Sequence, residues 1–174
     1  SYVSEIRENC WNVSVLSGVI NYENIQFKKI FSPEECIHPE NNQDKEFHPK
    51  QSGGKIISLD KNHILLSIGD FRIRHLAQNK KSVNGKLIKI NTDNNNYEII
   101  SMGHRNPQGL YFDKENNFIL ETEHGPQGGD EINLIDIDQI NKTRIKNYGW
   151  AISSAGEHYG GKNKKNKKKY EKYP

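Results

Sequence analysis

Cysteine occurs only twice in these 174 residues, and no CxxC pair or neighbouring histidine set makes Cys10 and Cys36 a metal centre. On sequence alone a disulfide formed in an oxidising compartment and two separate buried thiols are equal readings. No apolar run approaches the ~20 residues that a membrane-crossing helix needs, so no membrane span is expected. The opening Ser1-Tyr2-Val3-Ser4-Glu5 lacks the basic and apolar regions of a secretory signal and reads as an internal or processed start. Apolar residues are scarce, 33% against 27% charged, which predicts a thin or incomplete core. Apolar spacing of helical period is poor throughout, which argues against a helical solenoid.

The net charge of +3 is a local matter, because seven lysines fall between Lys162 and Lys172. Without them the balance turns slightly acidic. Such a tail can lie along phosphate backbones, yet it has no interleaved aromatic platform. It is therefore read as a solvated tail or linker over 161–174, with no nucleic-acid partner expected.

What the chain does contain is short strands. Trp11 to Leu16 and Ile25 to Phe31 alternate partly and read as strands joined near Gly18. A connection rich in Pro, Asn and charge follows from Ser32 to Ser52, too long for a hairpin loop, and it is either a functional lip or a crossing between modules. The chain then repeats itself. Gly54 to Leu66 can be laid on Gly109 to Leu120: in each copy a glycine leads into an apolar strand, an Asp-Lys with Asn makes the turn, and a second apolar strand returns. Gly85 to Ile90 and Tyr97 to Ser101 add two strands to the first copy. Glu131 to Ile135 adds a third to the second copy, with Asn147 to Trp150 expected to begin its fourth.

A four-stranded unit recurring every ~40 to 50 residues is the pattern of a β-propeller blade. The fold class expected is all-β, a β-propeller fragment of two to three four-stranded blades. Its parts are 1–50 (outer strands of a preceding blade plus the connection), 51–102 (a blade), 103–160 (a blade carrying the site motifs) and 161–174 (the tail). Propellers close with four to eight blades, so this number cannot close a ring alone. The open apolar faces should then self-associate or be covered by further blades from the rest of a longer chain.

The special residues concentrate in two loops: Gly103-His104-Arg105-Asn106-Pro107-Gln108-Gly109-Leu110, and Glu123-His124-Gly125-Pro126 with Gly129-Asp130-Glu131-Ile132-Asn133-Leu134. Asn147-Tyr148-Gly149-Trp150 and Gly156-Glu157-His158-Tyr159 follow. Together with Gly53-Gly54-Lys55, Ser67-Ile68-Gly69-Asp70 and Asn84 to Asn91, these ordered motifs resemble the glucose/sorbosone dehydrogenase family, the soluble sugar dehydrogenases that use pyrroloquinoline quinone (PQQ), over about residues 51 to 160. The resemblance implies a six-bladed propeller more than twice this length, periplasmic or secreted. It also implies PQQ and calcium at one end of the channel and a sugar or other small alcohol as substrate.

By the resemblance, Arg105 and Asn106 bind the quinone, since an Arg fork reads a carboxylate bidentately. The carbonyls of Gly125 and Pro126 take the calcium position, a hard cation preferring oxygen ligands. Asp130 and Glu131 read as residues that fix the loop. The family's general base, a histidine shortly before the glycine pair, falls here on Gln51, and an amide does not accept a proton near neutral pH. His48, three residues earlier, reads as a solvent-exposed loop histidine. The function implied is hydride transfer from a sugar hydroxyl to the quinone. The alternative is a catalytically inactive propeller-derived binding or structural module.

Overall fold

A computed structural model describes residues 2–140 and 145–157; the lysine-rich tail and the His158-Tyr159 of the last motif lie outside the described residues. Eleven strands and two single helical turns are present among them. The first sheet holds β1 (Tyr2–Arg7), β2 (Cys10–Ile20) and β3 (Ile25–Phe31) in that order. The middle sheet contains β4 (Gly53–Ser58), β5 (His63–Ile68), β6 (Lys86–Asn91) and β7 (Tyr97–Met102). The turn α1 (His75–Gln78) lies between β5 and β6. The last sheet holds β8 (Pro107–Asp113), β9 (Phe118–Glu123) and β10 (Glu131–Asp136), followed by α2 (Ile137–Ile140) and β11 (Lys146–Asn147).

Two apolar layers hold the sheets face to face, as consecutive blades of a β-propeller pack. Val13, Val15, Ile30 and Phe31 of the first sheet meet Leu66, Ile68, Ile88 and Ile90 of the middle one. On the other side, Leu65, Leu87 and Ile100 meet Leu110, Ile119 and Ile135 of the last sheet. The middle sheet is thus covered on both faces. That is why β5 reads His-Ile-Leu-Leu-Ser-Ile, a near-continuous apolar run, instead of alternating. Among the described residues the sheets form an open stack and do not close into a ring.

The repeated hairpins use the same devices. Both turns are held by an aspartate accepting backbone N–H groups: Asp60 Oδ1 from Asn62 at 2.8 Å, and Asp113 Oδ1 from Glu115 at 3.1 Å and Asn116 at 3.0 Å. Both first strands are also bulged where they enter the sheet. Register shifts between Gly53 and Ile56 in β4, and between Pro107 and Gly109 in β8.

Residues 32–52 form a crossing from β3 to β4 that wraps the segment between β5 and β6. Glu35 Oε2 accepts from Ser82 Oγ, Val83 N and Asn84 Nδ2, and Asp44 Oδ2 accepts from Arg74 N. A disulfide joins Cys10 to Cys36 with a Cα separation of 5.5 Å, beside the bridge between Trp11 and Ile37, so the crossing is tied down at its start.

One strand departs from the sequence reading. Residues 147–150 do not begin a fourth strand of the last sheet. Instead, β11 runs parallel to β7 and becomes the fifth strand of the middle sheet, Lys146 opposite Ser101 and Asn147 opposite Met102. The chain is drawn there by bonds that a strand in the last sheet would forgo: Tyr148 N donates to Met102 O at 2.9 Å and Trp150 N to Gly103 O at 3.0 Å.

Candidate functional site

The bulges that open β4 and β8 turn backbone groups out of their own ladders and toward the neighbouring sheet. Gly53, at a φ of +66°, donates its N–H to Asn106 Oδ1 at 3.0 Å. Ser67 Oγ donates to Pro107 O at 2.7 Å and accepts from Lys55 N at 3.0 Å. The loop before β4 and the loop before β8 are therefore bonded to each other at one end of the stack.

Asp70, at the end of the β5 run, gathers this end of the molecule. Its fully buried carboxylate accepts from Gln51 Nε2 (2.8 Å), from the Arg72 backbone N (2.8 Å) and from the Trp150 indole Nε1 (2.7 Å). Its own N–H donates to Arg105 O at 2.9 Å. Burial raises the Asp70 carboxyl above its ordinary value, against the lowering pull of its Trp150, Arg72 and Gln51 donors and the nearby Arg105 charge.

Gln51 is consumed by this arrangement. It is buried, with Nε2 on Asp70 and Oε1 accepting from Arg72 Nε at 3.3 Å. His48 stands beside it, accepting the Gln51 N–H at its carbonyl (3.0 Å). It is not the exposed loop residue that the sequence suggests, because the ring is half-buried and Nδ1 is buried without a partner. Burial, followed by the charges of Arg72, Lys50 and Arg105, lowers its pKa, so the imidazole is held neutral.

Arg105 and Asn106 are both buried to within 7% exposure, and both are positioned from behind by Glu123 of β9. Glu123 Oε2 accepts the backbone N–H of Arg105 and, at 3.2 Å, that of Asn106. The Arg105 guanidinium lies over the Trp150 ring at 5.4 Å and donates through Nη1 to the carbonyls of His124 (2.8 Å) and Gly125 (2.6 Å). Asn106 spends only its amide oxygen on Gly53, leaving Nδ2 as the half of the group that remains to donate.

The Gly125-Pro126 loop closes tightly. A Cβ on Gly125 would run into the Gly129 carbonyl, so no other residue fits there without movement. Asp130 Oδ1 accepts the Gly125 N–H at 3.0 Å, and Pro126 O accepts from Gly129 N at 2.8 Å. The loop presents two neighbouring backbone oxygens, the donor type a calcium ion takes. Each is already engaged once, Gly125 O by a guanidinium. A cation binding Gly125 O would require Arg105 to withdraw from it, since like charges repel.

The structure thus brings Gln51, Arg105, Asn106 and Gly125 to one end of the stack, Gln51 linked to Arg105 through Asp70. The residues that the sequence reading gave no role are Asp70, Glu123 and Trp150. Asp70 and Trp150 lie in quoted motifs, but their partnership spans 80 positions and no local pattern announces it. Glu123 could have been singled out as a charged residue on the inward face of a strand whose apolar alternation it interrupts.

Comparison with known proteins places the chain in a family and its fold among solved structures. A sequence model of the family described as glucose / sorbosone dehydrogenase matches residues 18–174. The aldose sugar dehydrogenase YliI of Escherichia coli is 33% identical over 122 residues, which is 63% of this chain and 31% of that protein. The crystal structure of the soluble aldose sugar dehydrogenase of Escherichia coli in its apo form is similar with a TM-score of 0.69 at 26% identity. That likeness covers 92% of this chain and 46% of the other. The PQQ-bound aldose sugar dehydrogenase of Streptomyces coelicolor shares the fold with a TM-score of 0.62 at 21% identity, over 87% of this chain and 43% of that one. The chain spans about a third of the length of the curated relative and under half of each solved structure.

Proposed function

Because the chain belongs to the glucose/sorbosone dehydrogenase family, we propose that it supplies one wall of a site that binds PQQ and calcium and oxidises a sugar. What supports this reading most is Glu123. A buried carboxylate spent on two consecutive backbone N–H groups fixes the two residues best suited to a tricarboxylate quinone. The Arg105 guanidinium would bind a quinone carboxylate by its fork and the Asn106 Nδ2 would donate to an oxygen beside it. The carbonyls of Gly125 and Pro126 would hold calcium, two of the six to eight oxygens such an ion takes. PQQ, when bound, supplies a two-electron acceptor for the hydride leaving the sugar carbon.

The proton of the sugar hydroxyl must go to a base. Gln51 is unsuited, both as an amide and because its two ends are spent on Asp70 and Arg72. Beside it, His48 is a neutral imidazole, and it is the described residue next to Gln51 whose chemistry suits a proton acceptor. The disulfide between Cys10 and Cys36 favours an oxidising compartment, periplasmic or secreted.

The second reading is a propeller module that retained the scaffold and lost catalysis. It is favoured by Gln51, whose locked amide falls, by the resemblance, at the family's base position. Reduction of an electron-accepting dye by sugar, with PQQ and calcium supplied, separates the two. The dehydrogenase reading expects turnover that falls ~10² to 10⁴-fold in His48→Gln. Absence of turnover with PQQ demonstrably bound, read as quenching of tryptophan fluorescence, would establish the inactive module.

A further inference from the structure

A second group of side chains packs against the loop 103–107. His104, Glu121 and Glu123 are all buried, and one donor atom from each lies within 4.8 Å of the others. His104 Nδ1 stands 3.3 Å from Glu123 Oε1 and 3.6 Å from Glu121 Oε2. The first is a long hydrogen bond, and the second lies beyond hydrogen-bond distance. They are close to the roughly 3.3 Å that divides two ligands each held 2.0–2.1 Å from a tetrahedral zinc ion.

The surroundings hold these atoms in place. Asn133 Nδ2 donates to Glu121 Oε2 (2.9 Å) and to Glu123 Oε1 (3.1 Å), fixing both carboxylates. The other ring nitrogen of His104 is 2.8 Å from Ser101 Oγ, the outer-shell contact that commits a ligating imidazole to one tautomer. The Tyr148 ring stacks on the imidazole at 5.0 Å and covers it.

Two features are unexplained by hydrogen bonding alone. The cluster carries two carboxylates for one imidazole, and among the described residues no arginine or lysine side chain is bonded to either, so it has an excess of buried negative charge. Glu121 Oε1 is also buried without any hydrogen-bond partner.

We propose that His104, Glu121 and Glu123 bind one divalent transition-metal ion of the zinc class, through His104 Nδ1 and a carboxylate oxygen from each glutamate. The ion neutralises the buried carboxylates, Glu121 with its unpartnered Oε1 among them, and anchors the residue that holds the Arg105 and Asn106 amides. It is separate from the calcium position, whose donors are backbone carbonyls.

Cobalt(II) replaces zinc and reports its ligands by visible absorption. The full-length protein is stripped with chelator, saturated with calcium and titrated with Co²⁺. We expect one equivalent bound, with ligand-field bands of a low-coordinate nitrogen and oxygen site, displaced by Zn²⁺. Glu121→Gln, which keeps the side-chain shape, should abolish the bands, and Ser101→Ala should weaken binding roughly 10- to 100-fold by releasing the imidazole. Absence of saturable Co²⁺ binding to the folded protein overturns the proposal, leaving protons as the occupants. Bands that persist unchanged in Glu121→Gln overturn it too. If Glu121→Gln does not fold, Ser101→Ala decides, and an unchanged affinity there removes His104 as a ligand.

Discussion

The middle sheet and the last sheet begin from the same hairpin, but one is buried on both faces and the other on one. In β5 the consecutive residues Leu65 and Leu66 are fully buried, each against a different neighbour. In β10, Ile135 is buried while Ile132 and Leu134 are 75% and 51% exposed. That open face continues through Tyr111, opposite Leu120, which is in turn opposite Leu134. The covered face of the last sheet runs the other way. Ile119 is followed by Glu121 and then Glu123, so the inward side grades from apolar to acidic toward the site loops. The usual rule of apolar-in and polar-out is inverted at this end, and the inversion marks where interior volume is spent on positioning loops instead of on cohesion.

The comparison breaks most sharply under truncation. Leu65→Ala should destabilise by about 2 to 5 kcal/mol, whereas Leu134→Ala should change stability by less than about 0.5 kcal/mol. Urea midpoints at unchanged m-value measure both, and similar losses would mean that the open face is covered in solution. Asp70→Asn tests the tie between the sheets. It replaces a carboxyl oxygen that accepts part of three hydrogen bonds by an amide donor and should cost about 1 to 3 kcal/mol. It should also shift Trp150 fluorescence, as the indole N–H loses its partner.

A further test concerns Lys86 of β6, whose fully buried ammonium donates to the carbonyls of Leu76, Ala77 and Asn84. Burial lowers its pKa from 10.5 to about 7, against the raising pull of Glu35 and Asp70. The unfolded chain thus binds a proton between these values that the folded chain has released, so this residue makes stability rise as pH increases from about 7 to about 10.5. Lys86→Met should flatten that slope in thermal melts across the range.

Much of the fold was legible because it is written locally. Asp60 and Asp113 announce their turns, and the apolar run through Leu65 and Leu66 announces a strand. The parallel placement of β11 was not legible, since it rests on bonds from Tyr148 and Trp150 to Met102 and Gly103 across more than 40 positions. Within the site, Arg105, Asn106, Gly125 and Pro126 stand in motifs and could be named. The residues that hold them are single letters on strands or loop ends, and Asp70, Glu123 and Trp150 acquire meaning only when the sheets stack. His48 was misread as exposed because burial of a loop depends on what packs over it.

The bond from Glu123 to the amides of Arg105 and Asn106 means that the spacing of this site is quantised. A strand advances by ~3.4 Å per residue and reverses its facing at each step. The carboxylate therefore cannot be shifted gradually: a one-residue slip of β9 would present Thr122 or His124 in its place, with the opposite orientation. Length changes in the turn at 114–117 reach the site only if they alter that register. Drift in the proteins that carry this loop pair should then accumulate in the turns, while the pairing of β8 with β9 behaves as a fixed gauge.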